Sequence, residues 1–276
     1  MDTGLLKEVF DKELSQIAKS ELNRIVAKIS DNLSKYGADT FPRSASVNGV
    51  YEFSADNSDW TEGFWAGMVW LAYQYTKDDK FREAGLLQTR LFEDRIDQNR
   101  MLEHHDLGFL YLYSCVACYK LTGDQTARQY AMKAADKLMT RYNEKAGIIQ
   151  AWGDLSDPKQ SGRFIIDCLM NIPLLFWASE ITGNKKYYNA ALSHAVAASK
   201  YIIRSDHSTF HTFHMDTETG NPKFGTTHQG YSDTSCWARG QAWGVYGFSL
   251  AYKHTKDPLF LDAANKVTDY YLAHLP

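Results

Sequence analysis

The chain has 276 residues, 44% of them apolar, and 30 Lys and Arg against 33 Asp and Glu leave a net charge of −3. That length suits one large domain with a sizeable core, and the acidic balance excludes the basic face that nucleic-acid binding needs. No basic stretch leads into an apolar core at the N-terminus and no run is apolar enough to span a bilayer, so we expect no signal peptide and no membrane partner. The four cysteines (Cys115, Cys118, Cys168 and Cys236) suit a reducing cytoplasm. Cys115 and Cys118 make a C-x-x-C, but inside the apolar run Leu110 to Leu121, where they are expected to pack as small hydrophobes.

Only 6 prolines and little strand-like alternation predict an all-α protein. Residues 4–35 read as one long amphipathic helix, ended near Gly37 by a loop over 37–59 that is rich in Ser, Asn, Asp and Gly. Trp60 to Tyr75 is a helix apolar almost all round, and Lys80 to Ile96 is amphipathic. The pair then recurs. A greasy helix meets a short turn, and an alanine-marked amphipathic helix returns. The turns are Thr76-Lys-Asp78, Thr122-Gly-Asp124, Thr182-Gly-Asn184 and Thr255-Lys-Asp257, spaced 46, 60 and 73 residues apart. Gly123 and Gly183 suit helix C-termini, and each Asp or Asn suits the next N-cap. The third greasy segment, Arg163 to Thr182, reads as one helix of roughly four turns, with Asp167 at its head as a candidate N-cap or buried functional acid.

Uneven spacing argues against a regular solenoid and for a ring of inner greasy and outer amphipathic helices with insertions on one rim. The expectation is a single catalytic domain over 1–276, an (α/α)6 barrel of helical hairpins. About nine of the twelve helices of a closed ring can be counted, so it is expected to be incomplete at the C-terminus. Counting back 15 or 16 residues from each turn reaches Trp60, Asp106, Asp167 and Arg239. At ~1.5 Å per residue each lies ~24 Å from its turn, so all four share the rim that carries the long loops 37–59, 97–105, 143–164 and 205–236. Two acids, one arginine, one histidine and three tryptophans converging there read as a carbohydrate site. His104-His105-Asp106 and His211-x-x-His214-x-Asp216 lack a third ligand in a metal-binding pattern, and no nucleotide or hydrolase-elbow fingerprint is present, so neither metal nor cofactor is expected.

At these residues the sequence resembles the unsaturated glucuronyl hydrolases of glycoside hydrolase family 88. The matching stretches are Trp60-Thr-Glu-Gly-Phe-Trp-Ala-Gly, His105-Asp106-Leu-Gly-Phe, Asp167-Cys-Leu-Met-Asn-Ile-Pro-Leu-Leu and Gln229-Gly-Tyr-Ser-Asp-Thr-Ser-Cys-Trp-Ala-Arg239-Gly-Gln-Ala-Trp243, within a match over about residues 50 to 276. The resemblance implies an (α/α)6 barrel that removes a Δ4,5-unsaturated uronic acid from lyase-generated oligosaccharides of the glycosaminoglycan type, by hydrating the C4=C5 vinyl ether. It implies Asp167 as general acid and base and Asp106 as the second essential acid. Trp60, Trp152, His211, Gln229, Arg239 and Trp243 would then be substrate contacts. The resemblance implies family members that continue past the end of this chain, so the residues that finish their ring are expected to be missing here. Apolar surroundings and Asp106 are expected to raise the Asp167 pKa, and a helix N-terminus to lower it. Competing readings are an unsaturated rhamnogalacturonyl hydrolase, an inverting glycosidase with carboxylates ~6.5–9.5 Å apart, and a helical-repeat sugar-binding scaffold. The oligomeric state is not legible.

Overall fold

The computed structural model describes the backbone of residues 3–275 and the side chains of residues 14–275. One long helix, α1 (Thr3–Tyr36), leads through a two-stranded hairpin, β1 (Phe41–Pro42) and β2 (Phe53–Ser54), into four inner–outer helix pairs. The first pair is α2 (Glu62–Thr76) and α3 (Asp79–Asp97). In the second, the inner helix is α4 (Leu107–Tyr111), a π-helical turn (Leu112–Val116) and α5 (Ala117–Thr122), and the outer helix is α6 (Gln125–Met139). The third joins α7 (Pro173–Thr182) to α8 (Lys185–Tyr201), and the fourth joins α9 (Ala238–Thr255) to α10 (Pro258–Ala273). No described helix is long and apolar enough to cross a membrane.

The four inner-to-outer turns are built alike. Thr76, Thr122, Thr182 and Thr255 each donate their hydroxyl to the carbonyl four residues back, at 2.7, 2.7, 2.7 and 2.8 Å. Each hydroxyl then accepts the N–H of the Asp or Asn two residues on, at 3.1–3.2 Å. The residue between them closes the helix in the left-handed region: Lys77, Gly123, Gly183 and Lys256 have φ of 60°, 79°, 71° and 59°. Asp78, Asp124, Asn184 and Asp257 cap the returning helix by accepting backbone N–H bonds.

The core lies between the two helix layers. Inner helices supply Val69, Trp70, Leu110, Tyr111, Leu174, Trp177 and Phe248. Outer helices supply Phe81 and Phe92, plus alanine stripes such as Ala127, Ala131, Ala134 and Ala135, which let the two layers approach closely. Each large apolar side chain buried here contributes ~1.5–3 kcal/mol.

The segment 163–182 is not one helix. Arg163–Ile165 forms β5, antiparallel to β6 (Thr212–Met215), which pairs in turn with β7 (Pro222–Thr226). A 3-10 turn (Ile166–Met170) follows, and α7 begins only at Pro173, a residue suited to a first helical turn. Asp167 makes no cap bond and is no N-cap. An apolar run buried on every side has no periodicity to separate strand from helix, which is why the sequence pattern merged them.

Candidate active site

Two glycines bring three of the four inner heads together. A Cβ on Gly63 of α2 would lie 2.1 Å from the Phe109 carbonyl oxygen of α4, and one on Gly108 would lie 2.2 Å from the Asn171 Cα. Backbone therefore packs on backbone from α2 to α4 to the end of the 3-10 turn. Asn171, fully buried, joins these heads by side-chain bonds. Its Oδ1 accepts the Phe109 N–H at 2.8 Å, and its Nδ2 donates to Asp106 Oδ1 and to the Asp167 carbonyl, each at 3.4 Å.

The two acids sit in opposite environments. Asp167 is 5% exposed, and its Oδ2 has no hydrogen-bond partner among the described residues. Burial raises its pKa, the nearby His105 charge opposes this, and the Asp106 carboxylate adds to it, for a value of about 6. For Asp106 burial also pushes upward, but the charge of His105 and its bond to the carboxylate outweigh it and hold the carboxyl well below the usual range. His105 Nε2 lies 3.1 Å from Asp106 Oδ1, and His104 Nδ1 lies 3.3 Å from Oδ2. Burial alone would discharge His105, yet Asp106 raises it to about 10. The site thus holds one protonatable carboxyl beside a carboxylate–imidazolium pair.

A cavity of ≈ 290 Å³ opens over this pair, lined by Trp60, His105, Asp106, Trp152, Ile165, Asp167, His228 and Gln229. Trp60 packs on Phe109 with ring centroids 5.7 Å apart, and Trp243 packs on the same Phe109 at 5.5 Å. Arg239, near the start of α9, is exposed at the cavity edge. It donates to Gln229 Oε1 at 2.5 Å, and its guanidinium carbon lies 4.6 Å from the Trp237 ring centre and 5.9 Å from that of Trp60. His211 lies beneath the wall. It is 2% exposed, 6.5 Å from the Trp152 ring, and its Nδ1 accepts the His228 N–H at 3.3 Å. Burial, then the neighbouring His228, His105 and Arg239, lower its pKa to about 4, so it is neutral near pH 7.

Of the eight residues singled out from sequence, Asp106, Asp167, Trp60, Trp152 and Gln229 line one cavity. Arg239 joins it through Gln229, Trp243 through Phe109, and His211 through His228. Sequence reading weighed His105 only as a metal ligand and gave no site role to His228 or to the bridge made by Asn171. The adjacency of His105 to Asp106 was the one available signal for the first, and nothing local marks His228. No group of three or more His, Cys, Asp or Glu among the described residues is arranged to hold a metal ion.

The model of Glycosyl Hydrolase Family 88 matches residues 34–276. The chain is 49% identical over 267 residues to an unsaturated chondroitin disaccharide hydrolase of Streptococcus pneumoniae, covering 96% of this chain and 67% of the relative. The crystal structure of an unsaturated glucuronyl hydrolase from Streptococcus agalactiae superposes with a TM-score of 0.89 at 46% identity, covering 94% of this chain and 65% of that one. A variant of the S. agalactiae enzyme complexed with dGlcA-GalNAc6S superposes with a TM-score of 0.78 at 42% identity, over 94% of this chain and 63% of that one. The chain thus spans about two thirds of the length of these relatives. The shared helical ring, the matched family model and the identity over nearly all of this chain have one meaning: the protein belongs to glycoside hydrolase family 88.

Proposed function

We propose that the protein is an unsaturated glucuronyl hydrolase that removes the Δ4,5-unsaturated uronic acid from lyase-generated oligosaccharides of the glycosaminoglycan type. The observation that carries this is the pair of unequal acids in one aromatic-walled cavity. The unsaturated ring is a vinyl ether, and hydration needs a proton donor held near the working pH and a base for the attacking water. Asp167, protonated below about 6, gives its proton to C4, leaving an oxocarbenium ion at C5. Water adds at C5 and returns a proton to the Asp167 carboxylate, so the acid is regenerated. The resulting hemiketal opens, C1 becomes a hemiacetal, and its collapse releases the remaining sugar. Asp106, held ionised by His105, adds to the burial that raises the Asp167 pKa, accepts the Asn171 side-chain bond, and stands ready to accept from sugar hydroxyls.

Trp60 and Trp152 wall the sugar, Gln229 offers an amide to its hydroxyls, and Arg239 supplies the positive charge for the uronate. His211 supports that wall through His228, and Trp243 backs Trp60 through Phe109. The relatives' names support this substrate class, one being called a chondroitin disaccharide hydrolase. The whole chain is read as one catalytic domain, and its free cysteines suit the cytoplasm.

The test is the ultraviolet absorbance of the unsaturated uronyl group. Incubation with chondroitin- or hyaluronan-derived unsaturated disaccharides should abolish it. Turnover of pectin-derived unsaturated disaccharides alone would assign the rhamnogalacturonyl reaction, and hydrolysis of saturated disaccharides would assign direct displacement. Binding without absorbance loss would make the protein a sugar-binding scaffold.

A further inference from the structure

Arg95 lies at the end of α3, away from the cavity wall, and is fully buried. An isolated buried guanidinium is costly, so its partners must be complete. They are: each of its five N–H groups has an acceptor. Nη1 donates to Asp59 O at 2.7 Å and Asn57 Oδ1 at 3.1 Å, and Nη2 to Ser58 O at 3.3 Å. The rest of the fork turns to a second loop, with Nη2 donating to Met101 O at 3.0 Å and Nε to Arg100 O at 3.2 Å. Glu62 Oε2, 3.8 Å away, balances the charge.

Those two loops carry the site. Residues 57–59 run directly into Trp60. The second loop holds Asn99 and Met101 at φ 47°, a left-handed conformation that side chains rarely adopt without support. The Met101 carbonyl that Arg95 grips also accepts from His104 Nε2 at 2.8 Å. A carbonyl can only accept, so the His104 hydrogen is on Nε2. Its Nδ1 then receives the Asp106 N–H at 3.1 Å. A continuous chain of bonds therefore runs from Arg95 through Met101 and His104 to the backbone of Asp106.

We infer that Arg95 is a positioning residue, clamping the Trp60 loop to the Asp106 loop and fixing Asp106 through the Met101 carbonyl and His104. The inference rests on the hydration reading above for its kinetic consequence only. Lysine keeps the charge but offers three donors from one atom, and cannot hold both loops at once.

The experiment compares wild type, Arg95→Lys, His104→Ala and the double variant by kcat and KM on an unsaturated chondroitin disaccharide, with the histidine ¹⁵N spectrum read in parallel. Expected is at least a tenfold fall in kcat for each single variant, and a double variant no worse than the poorer single, because both break one chain. The His104 imidazole of Arg95→Lys should lose its fixed Nε2–H signature. Arg95→Lys with wild-type kcat and an unchanged His104 signal overturns the inference. So do additive losses, and so does a His104→Ala variant of full activity. An Arg95→Lys chain that fails to fold overturns it too, by assigning Arg95 to the global fold. If wild type leaves the absorbance unchanged, the hydration reading fails instead, and the His104 signal alone decides the role of Arg95.

Discussion

The two ends of the inner helices contrast sharply. At one end four turns repeat a single design, a threonine back-bond, a left-handed residue and an Asp or Asn cap, with the same bonds to within about a tenth of an ångström. At the other end no two heads agree: Trp60 precedes α2, Asp106 precedes α4, Asp167 sits in a 3-10 turn, and Arg239 lies just inside α9. The turn end depends on contacts within a few residues and carries no chemistry. The rim end depends on contacts between segments 62 and 65 residues apart, such as the bonds from Asn171 to Phe109 and Asp106. Local rules make the ring regular, and leaving them at one rim makes room for unlike side chains around one cavity.

The largest effect is expected at Asp167. Asp167→Asn should lower turnover ~10³-fold or more while the disaccharide still binds, since the amide neither gives nor takes the proton. Wild-type turnover in this variant would remove Asp167 from the chemistry. The same substitution tests the burial argument. The folded-state pKa of Asp167 is raised to about 6, so the wild type is favoured at low pH and loses that stability as pH rises through 6. Asp167→Asn should therefore melt higher than wild type at pH 8, by up to ~3 kcal/mol in unfolding free energy, and show no such gain below pH 4. The wild-type kcat/KM should fall as pH rises through about 6. Asp106→Asn comes next, with ~10²–10³-fold lower kcat. It also discharges His105, whose charge lowers the Asp167 pKa more than the Asp106 carboxylate raises it, so the alkaline limb of the pH profile should move to higher pH; an unmoved limb would uncouple the two acids.

One pair of substitutions compares the two ends directly, on the same inner helix. Gly108→Ala puts a methyl 2.2 Å from the Asn171 Cα and should cost ~1–3 kcal/mol of stability together with most of the activity. Gly123→Ala meets nothing within 4 Å and pays only for its left-handed φ of 79°, roughly 1 kcal/mol, with kcat/KM unchanged. Equal losses of activity from the two would erase the functional distinction between the ends. Between them stands Arg239→Lys. It keeps the charge and loses the fork, and a fall of ~10–100-fold in kcat/KM with little change in melting temperature is expected. Near-normal kinetics with a large loss of stability would make Arg239 a structural partner.

The sequence by itself determined the ring and its two rims. Greasy and amphipathic helices alternate, and a Thr-x-Asp or Thr-x-Asn signal marks every turn, because helix amphipathicity and capping are read within one or two turns of chain. Counting from those turns put Trp60, Asp106 and Arg239 on one rim by arithmetic on the helix rise; for Asp167 the count assumed a helix where a 3-10 turn leads into α7, and the Asn171 bonds are what bring it beside Asp106. The resemblance to the family supplied their roles and those of the loop residues. Tertiary structure decided the rest. Arg163–Ile165 became a strand because β6, about fifty residues away, offered it an edge, and an all-apolar run carries no period to show this. His228 reached the cavity, and His211 went beneath it, through the fold of a hairpin rather than any local motif. The inequality of the two acids is likewise no property of Asp as a residue. It follows from His105 lying 3.1 Å from one carboxylate and from burial without a bonded partner at the other, both set by which helix heads the glycines allow to touch.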